Sequence, residues 1–355
     1  EGAQERYAQA RFDSIRAMGR IAKDEDCRFM LVCGDAFESN QVDRRTVARA
    51  LEALKDVPVP VYILPGNHDP LNAASVYRSG AFLERKPPHV HILENAAPVR
   101  PADDVELVGG VWTSKRPVVN PAAEALEALA PANDVVRICA AHGAVDRLAP
   151  DPEAAGVIEL AAIEAALADG RIHYAALGDR HSATGVSENG RVWYSGTPET
   201  TDFSEIRSGY ALVVDVDAGS AAAREVRVGQ WQFVRHEAEV NAAEDVALLA
   251  AWLEAIENKE RTVVRLELAG SLALSAREAL DRSLAAARDL FAAFEARDEL
   301  LLAVPEDADF ADLGFSGFAD ATVERLRAAI QSGGDAPPAA RDALMLLLRL
   351  ARRVA

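Results

Sequence analysis

Four short apolar runs in this chain each end in a small polar cluster built around glycine. Residues 29–33 lead into Gly34-Asp35, and residues 59–65 into Gly66-Asn67-His68-Asp69. Residues 135–141 lead into His142-Gly143, and residues 173–177 into Gly178-Asp179-Arg180-His181. Short aliphatic and β-branched runs of this kind read as buried strands, and the stretches between them carry helical spacing. Alternating helices and buried strands make a layered α/β core, whose strand C-terminal ends place polar residues along one edge. A lone Gly-Asp or Asn-His-Asp reads equally well as a turn or a helix cap. Four in series, each after a strand, do not, because independent turns have no reason to draw only carboxylate, amide and imidazole side chains.

The rest of the pattern fills in that frame. A stripe of Tyr7, Ala10, Phe12, Ile15, Met18 and Ile21 predicts a helix over 5–23. Asp43 is placed to cap a second helix over 43–54. Short strands are expected at 90–93 and 105–107, in an antiparallel part of the sheet, and helices at 122–129 and 159–168. Strands at 191–198, 210–216 and 225–233 are expected to complete the sheet. Past His236 the composition shifts to Ala, Leu, Glu and Arg. Helices over 243–256 and 276–287 then alternate with strands at 262–268 and 299–304, which reads as a smaller α+β domain. Residues 333–338 read as a linker, and 339–355 as an amphipathic helix with Leu344, Leu347, Leu348, Ala351 and Val354 on one face. Packing on its own domain and docking on a partner both suit that face. The expected domains are therefore 1–235, 236–332 and 333–355.

Composition sets limits on function. With 355 residues, 50% of them hydrophobic, the chain can bury a sizeable core. No stretch approaches the roughly 18 consecutive apolar residues of a membrane span, and residues 1–11 lack the order of a signal peptide, so a cytoplasmic protein away from the membrane is expected. The three cysteines, Cys27, Cys33 and Cys139, show no CxxC spacing and fit reduced thiols in apolar strands. A net charge of -18 excludes a protein coated in basic surface for sequence-independent nucleic-acid binding. It leaves room for a local basic groove, or for a partner that supplies positive surface.

The residue types at the strand ends point to divalent cations. An Asp carboxylate can bridge two ions, an Asn oxygen can ligate one without adding charge, and a neighbouring His can reach a leaving-group oxygen. The motif series resembles the calcineurin-like metallophosphoesterases. Within them, CGDAFESN, PVPVYILPGNHDP, ALGDRHSATG and WYSGTPETTDF resemble the SbcD-like DNA repair exonucleases, nuclease subunits that pair with SMC-like ATPases. The likeness covers about residues 5–235; beyond His236 it rests on domain order alone.

This resemblance implies a two-sheet α/β sandwich flanked by helices, with a smaller C-terminal α+β cap domain. It implies a metal-dependent exonuclease or endonuclease subunit, with DNA as substrate, an ATPase partner and possible homodimerisation; the alternatives are a phosphoesterase for nucleotides or phosphoproteins on the same metal site, or a non-catalytic scaffold that has lost one metal. Two divalent ions, typically manganese, would sit roughly 3.5 to 4 Å apart and activate water for in-line attack on phosphorus. Carried over by position, Asp35 bridges the two ions, Asn67 and His142 ligate the second, and His181 ligates the first. His68 contacts the scissile phosphate and helps protonate the leaving oxygen, oriented by Asp69. Arg180 is a candidate for contacting the substrate phosphate.

The chain departs from that pattern twice. The family's opening Asp-x-His motif has no counterpart within residues 1–355, so either an upstream segment supplies it or the first ion's site is crippled. Asp179 stands where the family places a His; its carboxylate can replace imidazole at manganese and adds charge that favours hard cations. His89 and His91 read as sheet-face residues, Glu38 as a local hydrogen-bonding group, and Lys115-Arg116 beside Trp112 as a solvated basic turn.

Overall fold

In the computed structural model, which describes residues 2–154, 156–304, 317–331, 339–340, 342–344 and 346–347, the first two ligand-bearing runs lie side by side. Strand β1 (Met30–Cys33) pairs in parallel with β2 (Val61–Leu64), and β2 in parallel with β3 (Val90–Ile92). The register sets Cys33 against Leu64, so both chains leave the sheet at the same edge. Helix α1 (Ala3–Asp24) precedes β1, α2 (Arg44–Lys55) makes the crossover from β1 to β2, and the short α3 (Gly80–Leu83) lies between β2 and β3. Asp43 caps α2 as expected, its carboxylate accepting from the amides of Arg45 and Thr46.

A second sheet has the order β4-β5-β6-β7-β9-β8. Its strands are β4 (Val99–Ala102), β5 (Val105–Gly109), β6 (Val136–His142), β7 (Tyr174–Gly178), β8 (Thr184–Gly185) and β9 (Val192–Tyr194). The centre, β5 to β9, is parallel; only the edge pairs β4–β5 and β8–β9 run antiparallel. The antiparallel region expected at 90–107 is therefore confined to β4 and β5, and β3 runs parallel. A three-residue run carries no sign of its partner's direction, which here follows from the crossovers.

The pleat of β6 shows how the layers assemble. Ile138 and Ala140 face a core shared with Val61, Ile63 and Leu64 of β2, whereas Cys139 and Ala141 face the other way. On that second side they meet Ala122 and Leu126 of α4 (Pro121–Glu127) and Ile163 and Leu167 of α5 (Leu160–Ala168). A strand buried on both faces must read as continuously apolar, and residues 138–141 do. Two sheets face to face, with helices outside, form the expected sandwich. Cys27, Cys33 and Cys139 are free thiols, and burial pushes Cys33 and Cys139 up to about 12.

Later strands differ from expectation. Strand β10 (Tyr210–Val216) pairs with β11 (Ala221–Arg227) as a separate two-stranded antiparallel sheet instead of completing the main one. The run 225–233 is two strands, β11 and β12 (Gln232–Val240), divided at Gly229.

The chain divides into compact units, residues 1–232 and 233–355. In the second, β12, β13 (Thr262–Ala273) and β14 (Ala293–Val304) form a sheet in that order, with β13 and β14 parallel. Helices α6 (Ala243–Ala255) and α7 (Leu274–Leu290) bury Leu249, Leu253, Leu280 and Leu284 with Val264 and Leu266. Strand β14 starts six residues earlier than expected, and α8 (Phe318–Gln331) has no counterpart among the expected helices. The proposed linker at 333–338 lies outside the described residues. Of the C-terminal helical stripe, Leu344 is buried; Leu348, Ala351 and Val354 also lie outside them. No described helix is long and apolar enough to cross a membrane.

Candidate metal centre

The C-terminal ends of β1, β2, β6 and β7 bring Asp35, Asn67, His142 and Asp179 to one point. His142 is the last residue of β6, and its side chain is fully buried. Its Nε2 lies 2.8 Å from Asn67 Oδ1, 3.1 Å from Asp35 Oδ2 and 3.8 Å from Asp179 Oδ1. Ligand atoms of Asp35, His142 and Asp179 all fall within 4.8 Å of one another, the one such cluster among the described residues.

The tautomer of His142 follows from its other nitrogen. Nδ1 donates to the Cys33 carbonyl at 2.8 Å, so Nε2 carries the lone pair of the neutral ring and faces three oxygens. Two nitrogen or oxygen ligands at right angles on a divalent ion, each about 2.1 Å away, stand about 3 Å apart. The spacings around Nε2 are of that size, and the donor set of two carboxylates, one amide and one imidazole suits a hard or borderline cation. The residues present fit a divalent ion.

Close approach at this edge depends on glycine. Gly34 has φ +90, and a Cβ there would stand 2.0 Å from His142 Nδ1. A Cβ on Gly178 would stand 1.6 Å from the Cys33 carbonyl oxygen, backbone against backbone. The carboxylates that follow these glycines, Asp35 (φ 52) and Asp179 (φ 97), are themselves left-handed, a conformation that costs energy for a residue with a Cβ and that collects at functional sites. His142 is held from behind, its carbonyl accepting from Trp112 Nε1 at 2.9 Å and Asn120 Nδ2 at 3.1 Å.

Charge at the centre is strongly coupled. Burial alone would raise Asp35, but hydrogen bonding and charge from His142, with the His68 amide on Oδ1 at 2.9 Å, hold its carboxyl below the ordinary range. Burial opposes the charge on His142, yet the Asp35 contact and the Cys33 carbonyl outweigh it and raise the imidazole. Burial, with the Asp35 charge, raises Asp179 despite His142.

Asp69 has a different role from the one expected. Its carboxylate is fully buried and accepts from Gly66 N at 2.7 Å, Phe37 N at 3.0 Å and Tyr77 Oη at 2.6 Å. It therefore staples the loop after β1 to the loop after β2 and leaves His68 to another partner. His68 Nδ1 faces the Glu38 carbonyl at 3.1 Å and the Glu38 carboxylate at 3.5 Å. Glu38, read from sequence as a local hydrogen-bonding group, is the residue that meets the His68 ring. His68 itself is half-exposed.

His181 does not join the tight cluster, although the charges of Asp179 and Asp35 reach it. Its Nδ1 lies 2.7 Å from Glu205 Oε1. Arg180 is exposed, with Nε donating to Thr184 Oγ1 at 2.8 Å. Glu205, Tyr77 and Trp112 are not singled out as site residues by the sequence. Each lies outside the four motifs, Tyr77 in a 3-10 turn and the other two in loops, where nothing in the spacing marks it. His89 bonds the Leu54 carbonyl, and His91 stacks on Tyr62, both away from the cluster.

Among solved structures, that of TT1561 of Thermus thermophilus is 12% identical, covering 61% of this chain and 95% of that one, with a TM-score of 0.40. A second crystal structure is 14% identical over the same shares, with a TM-score of 0.36. Likeness this distant assigns no activity. No curated protein matches. The calcineurin-like phosphoesterase family matches residues 8–183, which hold the strand ends that carry Asp35, Asn67, His142 and Asp179. Residues 8–183 thus form a calcineurin-like phosphoesterase domain, a metallophosphoesterase-type sandwich of mixed α/β sheets flanked by helices.

Proposed function

We propose that this chain is a metal-dependent phosphodiesterase acting on DNA, an exonuclease or endonuclease subunit of DNA repair that works in the cytoplasm with an SMC-like ATPase. The observation that carries the hydrolytic reading is the buried His142 Nε2 ringed by Asn67, Asp35 and Asp179 oxygens at 2.8 to 3.8 Å. The DNA substrate rests on the likeness of the four sequence stretches to SbcD-like nucleases. The net charge of -18 favours a partner that brings positive surface to the complex. The capping domain of the reading is residues 236–332, and a homodimer is compatible with it.

In this reading Asp35, Asn67, His142, Asp179 and His181 hold two divalent ions, manganese by preference. Bound there, the ions would activate water and neutralise charge developing on phosphorus. The protein's own groups do the rest. His68 stands half-exposed at the rim, its Nδ1 facing Glu38, so its Nε2 is the nitrogen presented to a leaving oxygen. Arg180 offers a guanidinium beside Asp179 for a substrate phosphate. Asp69 keeps the Asp35 and Asn67 loops in register.

The test is turnover with manganese of linear double-stranded DNA against a small phosphomonoester. The nuclease reading expects DNA cleavage that disappears in His68→Ala while metal content is retained. Turnover of the monoester alone would replace it with a phosphomonoesterase, and no turnover of either substrate, with or without an ATPase partner, would leave a scaffold.

A further inference from the structure

His181 has a support that nothing in the four motifs announces. Its Nδ1 lies 2.7 Å from Glu205 Oε1 and 3.0 Å from Thr201 Oγ1. The Glu205 side chain is 4% exposed, whereas that of His181 is 56% exposed. An exposed ion pair would leave both partners in water; here the carboxylate is the buried member. Its oxygens are satisfied by Thr201, whose amide donates to Oε2 at 2.9 Å and whose hydroxyl donates to Oε1.

The backbone keeps this arrangement in place. Thr197 N donates to the His181 carbonyl at 2.9 Å, and Ala183 N donates to the Arg207 carbonyl at 2.9 Å. Ile206 N donates to Ser182 Oγ at 3.2 Å. Both flanks of the 197–207 loop are thus tied to residues 181–183, and Glu205 is delivered to His181 Nδ1 by a closed set of bonds. An ionised carboxylate only accepts, so Nδ1 must carry the proton and Nε2 is left with its lone pair. A carboxylate behind an imidazole in this way fixes the ring's orientation and raises its strength as a metal ligand.

We propose that Glu205, locked by Thr201, is the positioning residue that makes His181 a ligand of the divalent-cation site. The role rests on the two-ion reading above and adds to it a residue outside the family's motifs. Glu205 touches neither ion nor substrate; it acts through the ring of His181.

The experiment is Mn2+ titration of the full chain without substrate, comparing wild type with His181→Ala, Glu205→Gln and Thr201→Val. His181→Ala is expected to remove one class of Mn2+ site, and Glu205→Gln to weaken that same class by about 10 to 100-fold, leaving the tighter class unchanged. Thr201→Val should weaken it in the same direction and serves if Glu205→Gln fails to fold. Long-range 1H–15N spectra of the imidazoles give a readout that a merely structural role would not move. His181 should be the Nδ1–H tautomer in wild type and a mixture in Glu205→Gln. Wild-type Mn2+ affinity in a folded Glu205→Gln or Thr201→Val chain, an unchanged His181 tautomer, or intact binding in His181→Ala would each overturn the proposal. Since the titration contains no nucleic acid, a chain that passes it and cleaves no DNA sinks the nuclease reading alone.

Discussion

Replacing Asp69 by Asn separates two roles that sequence alone conflates. In the structure the Asp69 carboxylate takes three donors at 2.6 to 3.0 Å, Gly66 N on Oδ1 and Phe37 N and Tyr77 Oη on Oδ2. An amide keeps one oxygen for Gly66 and turns an NH2 toward Phe37 and Tyr77. The Tyr77 hydroxyl can rotate to accept, but the Phe37 amide is left facing another donor. A buried unsatisfied N–H costs about 1 to 3 kcal/mol, and losing charge assistance in the remaining bonds adds roughly 1 kcal/mol. The expected destabilisation is therefore about 2 to 4 kcal/mol, a fall in Tm of about 4 to 16 °C at about 2 to 4 °C per kcal/mol for a domain of this size. Tyr77→Phe removes one bond to the charged oxygen and should cost about 1.5 to 3 kcal/mol. Thermal melts with and without Mn2+ measure both variants, and each should also weaken metal binding, because Asp35 and Asn67 sit on the loops that Asp69 joins. If Asp69→Asn melts with wild type, binds Mn2+ normally and loses only turnover, the staple is wrong and Asp69 orients His68 after all.

Three other outcomes follow from the same geometry. Gly178→Ala drives a Cβ to within 1.6 Å of the Cys33 carbonyl oxygen, and backbone cannot swing aside as a side chain can; a loss of about 3 kcal/mol is expected in urea unfolding, and a wild-type midpoint would refute the contact. Glu106→Ala takes away the carboxylate that the buried Arg137 guanidinium meets at 2.8 Å and leaves it only the Ala130 and Arg171 carbonyls; a cost of about 3 kcal/mol, the low end for breaking a buried pair, is expected in the same unfolding curves. For pH, His142 is raised and Asp35 lowered, so the signs differ. In chelator, the His142 contribution to stability is full below its unfolded pKa and disappears as pH rises through the raised folded value, whereas that of Asp35 is lost as pH falls through its depressed one. Protons and cation compete for His142, so Mn2+ affinity should fall as pH drops through the raised imidazole value, and a pH-independent titration would contradict the assignment.

The gathering of polar side chains at the strand ends was legible because each part of the signal has one physical cause. A run buried on both faces is apolar throughout, glycine admits the close approach, and carboxylate, amide and imidazole side chains follow it. Direction and partners were less legible. The parallel pairing of β3 is set by crossovers far along the chain, not by residues 90–92. The early half of β14 is hard to read because Asp298 puts a charge on the side where Phe294 and Ala296 meet the core, although Glu295 and Arg297 alternate with them and pair across the open face with Arg265 and Glu267. The family resemblance implies a pairing of Asp69 with His68; the turn at Gly66 points the Asp69 carboxylate back into the loop instead. Glu205 could not be read at all, since it is 24 residues from His181 and meets it only through loop closure.

The Cys33 carbonyl belongs to one sheet and His142 to the other, and Asn67 reaches back from the first sheet to the far side of the same imidazole. A cation lodged among these groups would act as a rivet through both layers. Unfolding either sheet would first have to release it, so an ion present at 100 times its dissociation constant should add about 2.7 kcal/mol to the resistance of the whole sandwich. Chelation would then loosen the architecture as well as silence its chemistry, and the margin of stability of the fold would rise and fall with the supply of divalent metal.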